Sequence, residues 1–487
     1  MPAADPAAPD AFHAALGRLL AAEPRYERAV KAPVEAGETP EALIDRLRGE
    51  LAELCALDDA DQWRAFVEWA ARQGRAPRLL HVLAAVVAES EGETLAALRH
   101  VETAVAIDHR DRFAHALYAR ARSGCEGPAV AAVEDLSPFF CAKPFEEFEV
   151  RANGDVYTCC SAWLPVPIGN LGRGDPDGIW NSPTATAIRQ SILDGSFRYC
   201  SRGNCPLIVD RRLLRRDALT DPSHREIVRT ARTRLEQRPR RVLLSQDRSC
   251  NLSCPSCRQE VILAGKAQQD RLNALAEEVL LPLLRDARQV KVTGSGDPFA
   301  SAHFRYVLRR LAELRLPRLR VQIQTNGVLL DQRAWEELGL LGLVESVWVS
   351  IDAAKAESYA VVRRGGDFAR LLSNLVFLGW LRESGRLPLL RLDFVVQALN
   401  FREMPAAAEL ARAVRADGIY FQMIRNWGTY SVAEFRRHYI GSPDHPDYGA
   451  FLEVLRHPSL DWPGVDFSNL RRLRELALAR AASPLAA

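Results

Sequence analysis

The chain has 487 residues and a mass of 54.2 kDa, which at ~150 residues per domain allows about three domains and cores that need no disulfide staples. Lys and Arg number 64 against 62 Asp and Glu, a net charge of +2 that removes the electrostatic argument for a nucleic-acid partner. No apolar run approaches the ~18 residues of a membrane span, and the N-terminus lacks a basic stretch leading into an apolar one, so a cytoplasmic protein with no membrane contact is expected.

Residues 1–135 are rich in Ala, Leu and Arg, a composition that favours an all-α accessory domain. Within it, residues 92–124 read as two amphipathic helices around a turn at 108–111. Leu95, Leu98, Val101, Val105 and Ile107 fall at helical spacing, as in one tetratricopeptide-type hairpin. Cys55 and Cys125 are isolated here and read as packed thiols.

Residues 136–210 change character. FEEFEV (145–150) alternates, Asn153-Gly154-Asp155 makes a turn and Val156-Tyr157-Thr158 returns, which predicts a β-hairpin. A helix follows, with Asn181 or Ser182 as N-cap, Pro183 in its first turn and Gly195 past its end. Residues 211–240 read as a charged helical connector.

From 241 the pattern alternates. Strands are predicted at 241–245, 289–293, 319–325, 346–351, 390–396 and 418–424. Helices are predicted near 268–286, 302–314, 331–340, 367–383 and 404–415. Six β/α units imply an α/β fold with a parallel sheet, in which ligands gather beyond the carboxyl ends of the strands. Residues 431–487 read as capping helices.

The chemistry is concentrated in the cysteines. Eight of the ten lie between 141 and 257, and a disulfide scaffold of this size and composition is not expected, which leaves metal or redox chemistry. Cys250, Cys254 and Cys257 form a C-x3-C-x2-C loop directly after the first strand of the β/α array. Three thiolates on one loop can hold three corners of a [4Fe–4S] cube and leave the fourth iron open for chemistry.

With that motif the chain resembles the radical SAM superfamily over 241 to about 425. The resemblance implies a partial (β/α)6 barrel over 241–430 and a SAM-binding [4Fe–4S] cluster on Cys250, Cys254 and Cys257. It also implies reductive cleavage of S-adenosylmethionine to a 5′-deoxyadenosyl radical that abstracts hydrogen from substrate. Thr293-Gly294-Ser295-Gly296-Asp297-Pro298 stands where the family holds the SAM ammonium, with Asp297 for the usual Glu and Ser295 between the glycines. Thr325-Asn326-Gly327 resembles the polar turn after the third strand, and Ser350 and Asp352 stand where ribose or carboxylate contacts are made. Arg363 could pair with a carboxylate. The family often has an aromatic residue before its third cysteine; here Ser256 stands there.

A second set, Cys141, Cys159, Cys200 and Cys205, with adjacent Cys160 as the alternative to Cys159, resembles the C-x9-15-G-x4-C opening of SPASM and twitch auxiliary-cluster domains, placed ahead of the barrel. The resemblance implies one auxiliary [4Fe–4S] cluster; a structural zinc on four cysteines is the alternative. Gln422, Arg425, Asn426 and Trp427, after the sixth strand, are substrate-pocket candidates. Expected partners are a peptide or small polar substrate and an electron donor such as flavodoxin or ferredoxin, with oxidation, crosslinking or epimerisation as outcome. The rival function is a non-catalytic iron–sulfur or zinc scaffold that uses the helical domain for protein interaction.

Overall fold

The computed structural model describes residues 135–482, apart from 161–162, 165, 201–204, 210, 426–428 and 431, and describes helix Arg78–Ser90 and scattered positions before 135. Cys55, Cys125 and the turn at 108–111 lie outside the described residues. In chain order the early strands are β1 Phe139–Phe140, β2 Glu147–Arg151, β3 Asp155–Tyr157, β4 Gly169–Asn170, β5 Leu214–Arg215 and β6 Arg241–Ser245. The later ones are β7 Gln289–Val292, β8 Arg320–Thr325, β9 Val344–Ser350, β10 Leu389–Val396, β11 Gly418–Met423 and β12 Val465–Asp466.

The described chain divides into two compact units. The first comprises Met1–Phe145, Asp155–Cys205 and Leu213–Glu236; the second comprises Glu146–Gly154, Pro206–Arg212 and Gln237–Ala487.

In the first unit, β1 pairs antiparallel with β5, and β3 with β4. The helix Pro183–Leu193 begins where its sequence signal lies. The Ser182 hydroxyl accepts from the Ala185 N–H at 3.2 Å and Pro183 fills the first position. Gly195 follows at φ +80, where a Cβ would lie 2.6 Å from the Ser137 backbone. The last carbonyls of this helix, on Ile192 and Leu193, accept from the Arg216 guanidinium at 2.8 and 2.9 Å. Leu213–Glu236 of the stretch that reads as a connector thus belongs to this unit, where its Arg216 caps a helix. Arg189 is fully buried because its guanidinium donates to the carbonyls of Pro144, Thr233 and Trp180 and to Asn181 Oδ1.

In the second unit the strand order is β12-β11-β10-β9-β8-β7-β6-β2. Strands β6 to β11 are the six expected strands, parallel and in sequential order, within two residues of their expected ends. A run of β/α units with no reversal of order is the topology of a (β/α)6 partial barrel, whose ligands gather at the carboxyl ends. Two edges were not legible in the sequence. β2 pairs in parallel with β6, setting Phe148 and Val150 beside Val242 and Leu244, all fully buried. β12 pairs in parallel with β11. The helix expected near 268–286 is interrupted by a π-turn at Ala276–Leu280, just before Pro282, whose missing N–H breaks the regular ladder. A further helix, Ala356–Val362, precedes the expected one at Phe368–Glu383.

Candidate functional site

Along β6 to β11 one set of alternate residues is apolar and buried: Val242 and Leu244, Val290 and Val292, Val321 and Ile323, Val347 and Val349, Leu390 and Leu392, Ile419 and Phe421. The other set is polar and partly open. Lys291 Nζ lies 4.4 Å from the Trp348 ring centroid and the Arg391 guanidinium 3.4 Å from it. Arg391 also stands 4.6 Å from the Tyr420 ring and holds Asp393 at 2.7 Å. A parallel sheet with one polar, half-buried face offers that face to a polar guest.

Four loops converge beyond the carboxyl ends of these strands. The cysteine loop leaves β6 and turns on itself. The Cys250 N–H donates to the Ile262 carbonyl at 2.7 Å, and the N–H groups of Cys257 and Arg258 both donate to the Cys254 carbonyl at 2.9 Å. Cys250 and Cys254 are buried and Cys257 is exposed; all three are free thiols. Burial, with the Asp297 charge added, pushes the Cys250 thiol up to about 11, and burial also raises Cys254.

Each of the three sulfurs meets a side-chain N–H from a different residue. Asn326 Nδ2 stands 3.8 Å from Cys250 Sγ, Arg363 Nη1 3.9 Å from Cys254 Sγ and Arg258 Nη2 3.5 Å from Cys257 Sγ. Donors around a sulfur favour its anionic form, which is the form that ligates iron. Arg363 Nε and the Tyr359 hydroxyl are buried beside them without a partner, as donors awaiting an acceptor would be. This environment fits an anionic iron–sulfur cluster.

The glycine loop after β7 presses on the cysteine loop. A Cβ on Gly296 would lie 2.6 Å from the Ser249 carbonyl oxygen and 2.7 Å from that of Asp247, so only glycine fits. The Asp297 N–H donates to the Ser249 carbonyl at 2.8 Å, and the Ser295 hydroxyl to the Ser245 carbonyl at 2.7 Å. The Asp297 carboxylate is buried and already engaged. Oδ1 accepts from the N–H groups of Phe299 and Ala300 at 3.0 and 3.2 Å; Oδ2 accepts from the Thr325 hydroxyl and the Asn326 N–H at 2.7 and 2.8 Å. Burial raises its pKa, and these four donors oppose the rise. Both oxygens are thus occupied in tying the glycine loop to the Thr325-Asn326-Gly327 turn.

Asp352 follows β9 at φ 52 and pairs with Arg363 at 2.7 Å, its other oxygen accepting from the Val395 N–H at 2.7 Å. Burial works against the Arg363 charge, but Asp352 and Cys254 more than offset it and raise its pKa. Ser350 ends β9 in register with Asp393. Gln422 lies in β11 in register with Val395, and Arg425 follows it, half-buried; Asn426 and Trp427 lie outside the described residues. The same segment returns to the cysteine loop, where Gln259 Nε2 donates to the Thr429 carbonyl at 3.0 Å.

Sequence reasoning missed three parts. Arg258, directly after Cys257, bonds the carbonyls of Arg248 and Ser295, both at 2.7 Å. Arg364 clamps the cysteine loop through Ser253 Oγ and the Gln259 carbonyl. Asp247 accepts from Ser249 and from the Ser301 hydroxyl at 2.6 Å. Their one visible signal was their place directly after Cys257, directly after Arg363 and three residues before Cys250.

In the first unit Cys159, Cys200 and Cys205 are buried and Cys141 and Cys160 half-buried. They sit after β1, after β3, after the helix Pro183–Leu193 and before Pro206.

Residues 247–378 match the radical SAM superfamily, and residues 141–206 match SPASM, an iron–sulfur cluster-binding domain, which therefore precedes the radical SAM domain. The second span runs from Cys141 just past Cys205 and contains Cys141, Cys159, Cys160, Cys200 and Cys205. The chain is 30% identical over 125 residues to GTP 3′,8-cyclase of Pelotomaculum thermopropionicum, covering 25% of this chain and 36% of that protein. It thus spans about a third of the curated relative. Among solved structures it resembles Streptococcus suis SuiB bound to precursor peptide SuiA, with TM-score 0.34, 15% identity, 61% of this chain and 59% of that one covered. It also resembles anSMEcpe with bound AdoMet, with TM-score 0.28, 17% identity and coverages of 38% and 50%. No described helix is long and apolar enough to cross a membrane.

Proposed function

We propose that this chain, which carries a SPASM iron–sulfur domain ahead of a radical SAM domain, is an enzyme that reductively cleaves S-adenosylmethionine and uses the product to take hydrogen from a peptide or small polar substrate. The observation that carries the reading is the loop of Cys250, Cys254 and Cys257, with an N–H donor aimed at each sulfur from Asn326, Arg363 and Arg258. When bound, the cluster and S-adenosylmethionine supply one-electron cleavage and a carbon radical; the electron comes from a donor of the flavodoxin or ferredoxin class.

The chain's own residues hold and orient. Asn326 and Arg363 fix Cys250 and Cys254, and Asp297 locks the second and third loops together. Because its four acceptor positions are occupied, Asp297 acts by placing the Gly294–Gly296 backbone rather than by gripping an ammonium itself. Gly294, Ser295 and Gly296 with Thr325, Ser350, Asp352 and Arg363 border the space left for the cofactor. Lys291, Trp348, Arg391 and Tyr420 give this face of the sheet a cationic and aromatic surface suited to a polar substrate, with Gln422 and Arg425 at the end of β11 beside it. Cys141, Cys159, Cys200 and Cys205 hold the auxiliary cluster. Oxidation, crosslinking and epimerisation all begin with the same hydrogen abstraction.

The test is anaerobic reconstitution of the full chain with iron and sulfide, followed by S-adenosylmethionine and dithionite. Formation of 5′-deoxyadenosine is the expected result. A protein that loads iron and forms none is a scaffold.

A further inference from the structure

Three arginines surround the cysteine loop, and their charges are not equivalent. Arg363 is neutralised by Asp352 at 2.7 Å. Arg364 is exposed to solvent. Arg258 is 6% exposed, and among the described residues no carboxylate forms an ion pair with it. Its guanidinium is held by two carbonyl oxygens, those of Arg248 and Ser295, and by Cys257 Sγ at 3.5 Å. A buried cation without a counter-ion is strongly unfavourable. With the thiols protonated, Arg258 has only dipoles to compensate it; with an anionic cluster on those sulfurs it has a counter-ion.

We infer that Arg258 is the built-in counter-charge of the cluster held by Cys250, Cys254 and Cys257 and sets that cluster's reduction potential. The inference rests on the reading of these cysteines as cluster ligands. A cluster on three thiolates gains one further negative charge when it accepts an electron. A fixed cation beside it therefore stabilises the reduced form more than the oxidised form and raises the potential. The carbonyl bonds to Arg248 and Ser295 keep the guanidinium in place through this change. Arg258 is a positioning residue that acts through the sulfurs.

The test uses the full reconstituted chain and a dye-mediated redox titration followed by electron paramagnetic resonance. The relevant signal is the one that Cys254→Ala removes. Arg258→Met is expected to make reduction at least tenfold less favourable, about 59 mV more negative for one electron, whereas Arg258→Lys keeps the charge and shifts less. A potential unchanged in Arg258→Met overturns the inference. If Arg258→Met fails to load iron, Arg258→Gln is measured instead, with the same criterion. Loading lost in both neutral variants but kept in Arg258→Lys supports the counter-charge; loading lost in all three overturns it. If no wild-type signal depends on Cys254, the ligand assignment itself is wrong and the inference falls with it.

Discussion

Gly296 and Gly294 sit two residues apart in one loop, yet the structure assigns them different tolerances. Replacing Gly296 by Ala puts a Cβ 2.6 Å from the Ser249 carbonyl oxygen and 2.7 Å from the Asp247 carbonyl oxygen, where real Cβ atoms keep at least 3.0 Å. The obstacle is backbone on the cysteine loop, so the loops must part by about 0.4 Å. Overpacking of this kind costs about 1–3 kcal/mol. The Asp297 N–H bond to Ser249, at 2.8 Å, sits one residue away and is weakened by about 1 kcal/mol. A gain of about 0.4–1 kcal/mol from the stiffer unfolded chain offsets part of this, leaving a loss of about 1–4 kcal/mol. At Gly294 the Cβ meets only the Ser245 hydroxyl at 2.8 Å, which can rotate away at the loss of its weak 3.3 Å bond to Glu149. That loss and the unfolded-state gain nearly cancel. Urea unfolding of both variants, with iron retention after reconstitution, measures the contrast. Equal stability and equal iron in Gly296→Ala and wild type would refute the close-approach argument.

Asp297→Asn supplies one acceptor oxygen in place of two and turns an NH2 group towards two donors, so a loss of about 2–4 kcal/mol is expected in urea titration; a loss under 1 kcal/mol would contradict the four-bond geometry. Arg189→Met strips donors from the carbonyls of Pro144, Trp180 and Thr233 and is expected to lower stability by about 3–5 kcal/mol, read by thermal or urea unfolding. His303 donates and accepts as a neutral ring between Asn273 Oδ1 at 2.8 Å and Gln246 Nε2 at 3.0 Å, and burial lowers its pKa to about 4. A histidine lowered on folding contributes stability that is full above its unfolded value of ~6.5 and is lost as pH falls towards about 4, by at most about 3 kcal/mol. His303→Phe should flatten that part of the pH–stability curve; identical slopes in the two proteins would show that His303 does not carry it.

The six parallel strands were legible because Val, Ile and Leu recur with period 2 between helical stretches, and the cysteine loop because C-x3-C-x2-C follows the first of them. The helix at Pro183 was legible from Ser182, Pro183 and Gly195. β2 was not assigned to the sheet because its partner lies 94 residues downstream in register, Glu147 opposite Arg241, and pattern alone cannot select a distant parallel neighbour. Asp297 was read as a ligand because its loop position matches the family; that its carboxylate is consumed by Thr325, Asn326, Phe299 and Ala300 depends on how two loops meet. Arg258 was invisible for the same reason, since an arginine beside a motif reads as a surface charge until burial and partners are known. Nothing in the periodicity separates the partly open polar face of β7 to β11 from an ordinary solvated face.

The central claim is that two cysteine sets carry two clusters with different work. Iron, sulfide and 5′-deoxyadenosine measured together on wild type, on Cys250→Ala/Cys254→Ala/Cys257→Ala and on Cys141→Ala/Cys159→Ala test it most directly. About eight irons are expected in wild type and about four in each variant, given four per cluster. Formation of 5′-deoxyadenosine should vanish in the triple variant, which keeps its other irons. A triple variant that still forms 5′-deoxyadenosine, or a wild type that holds about four irons, would contradict it.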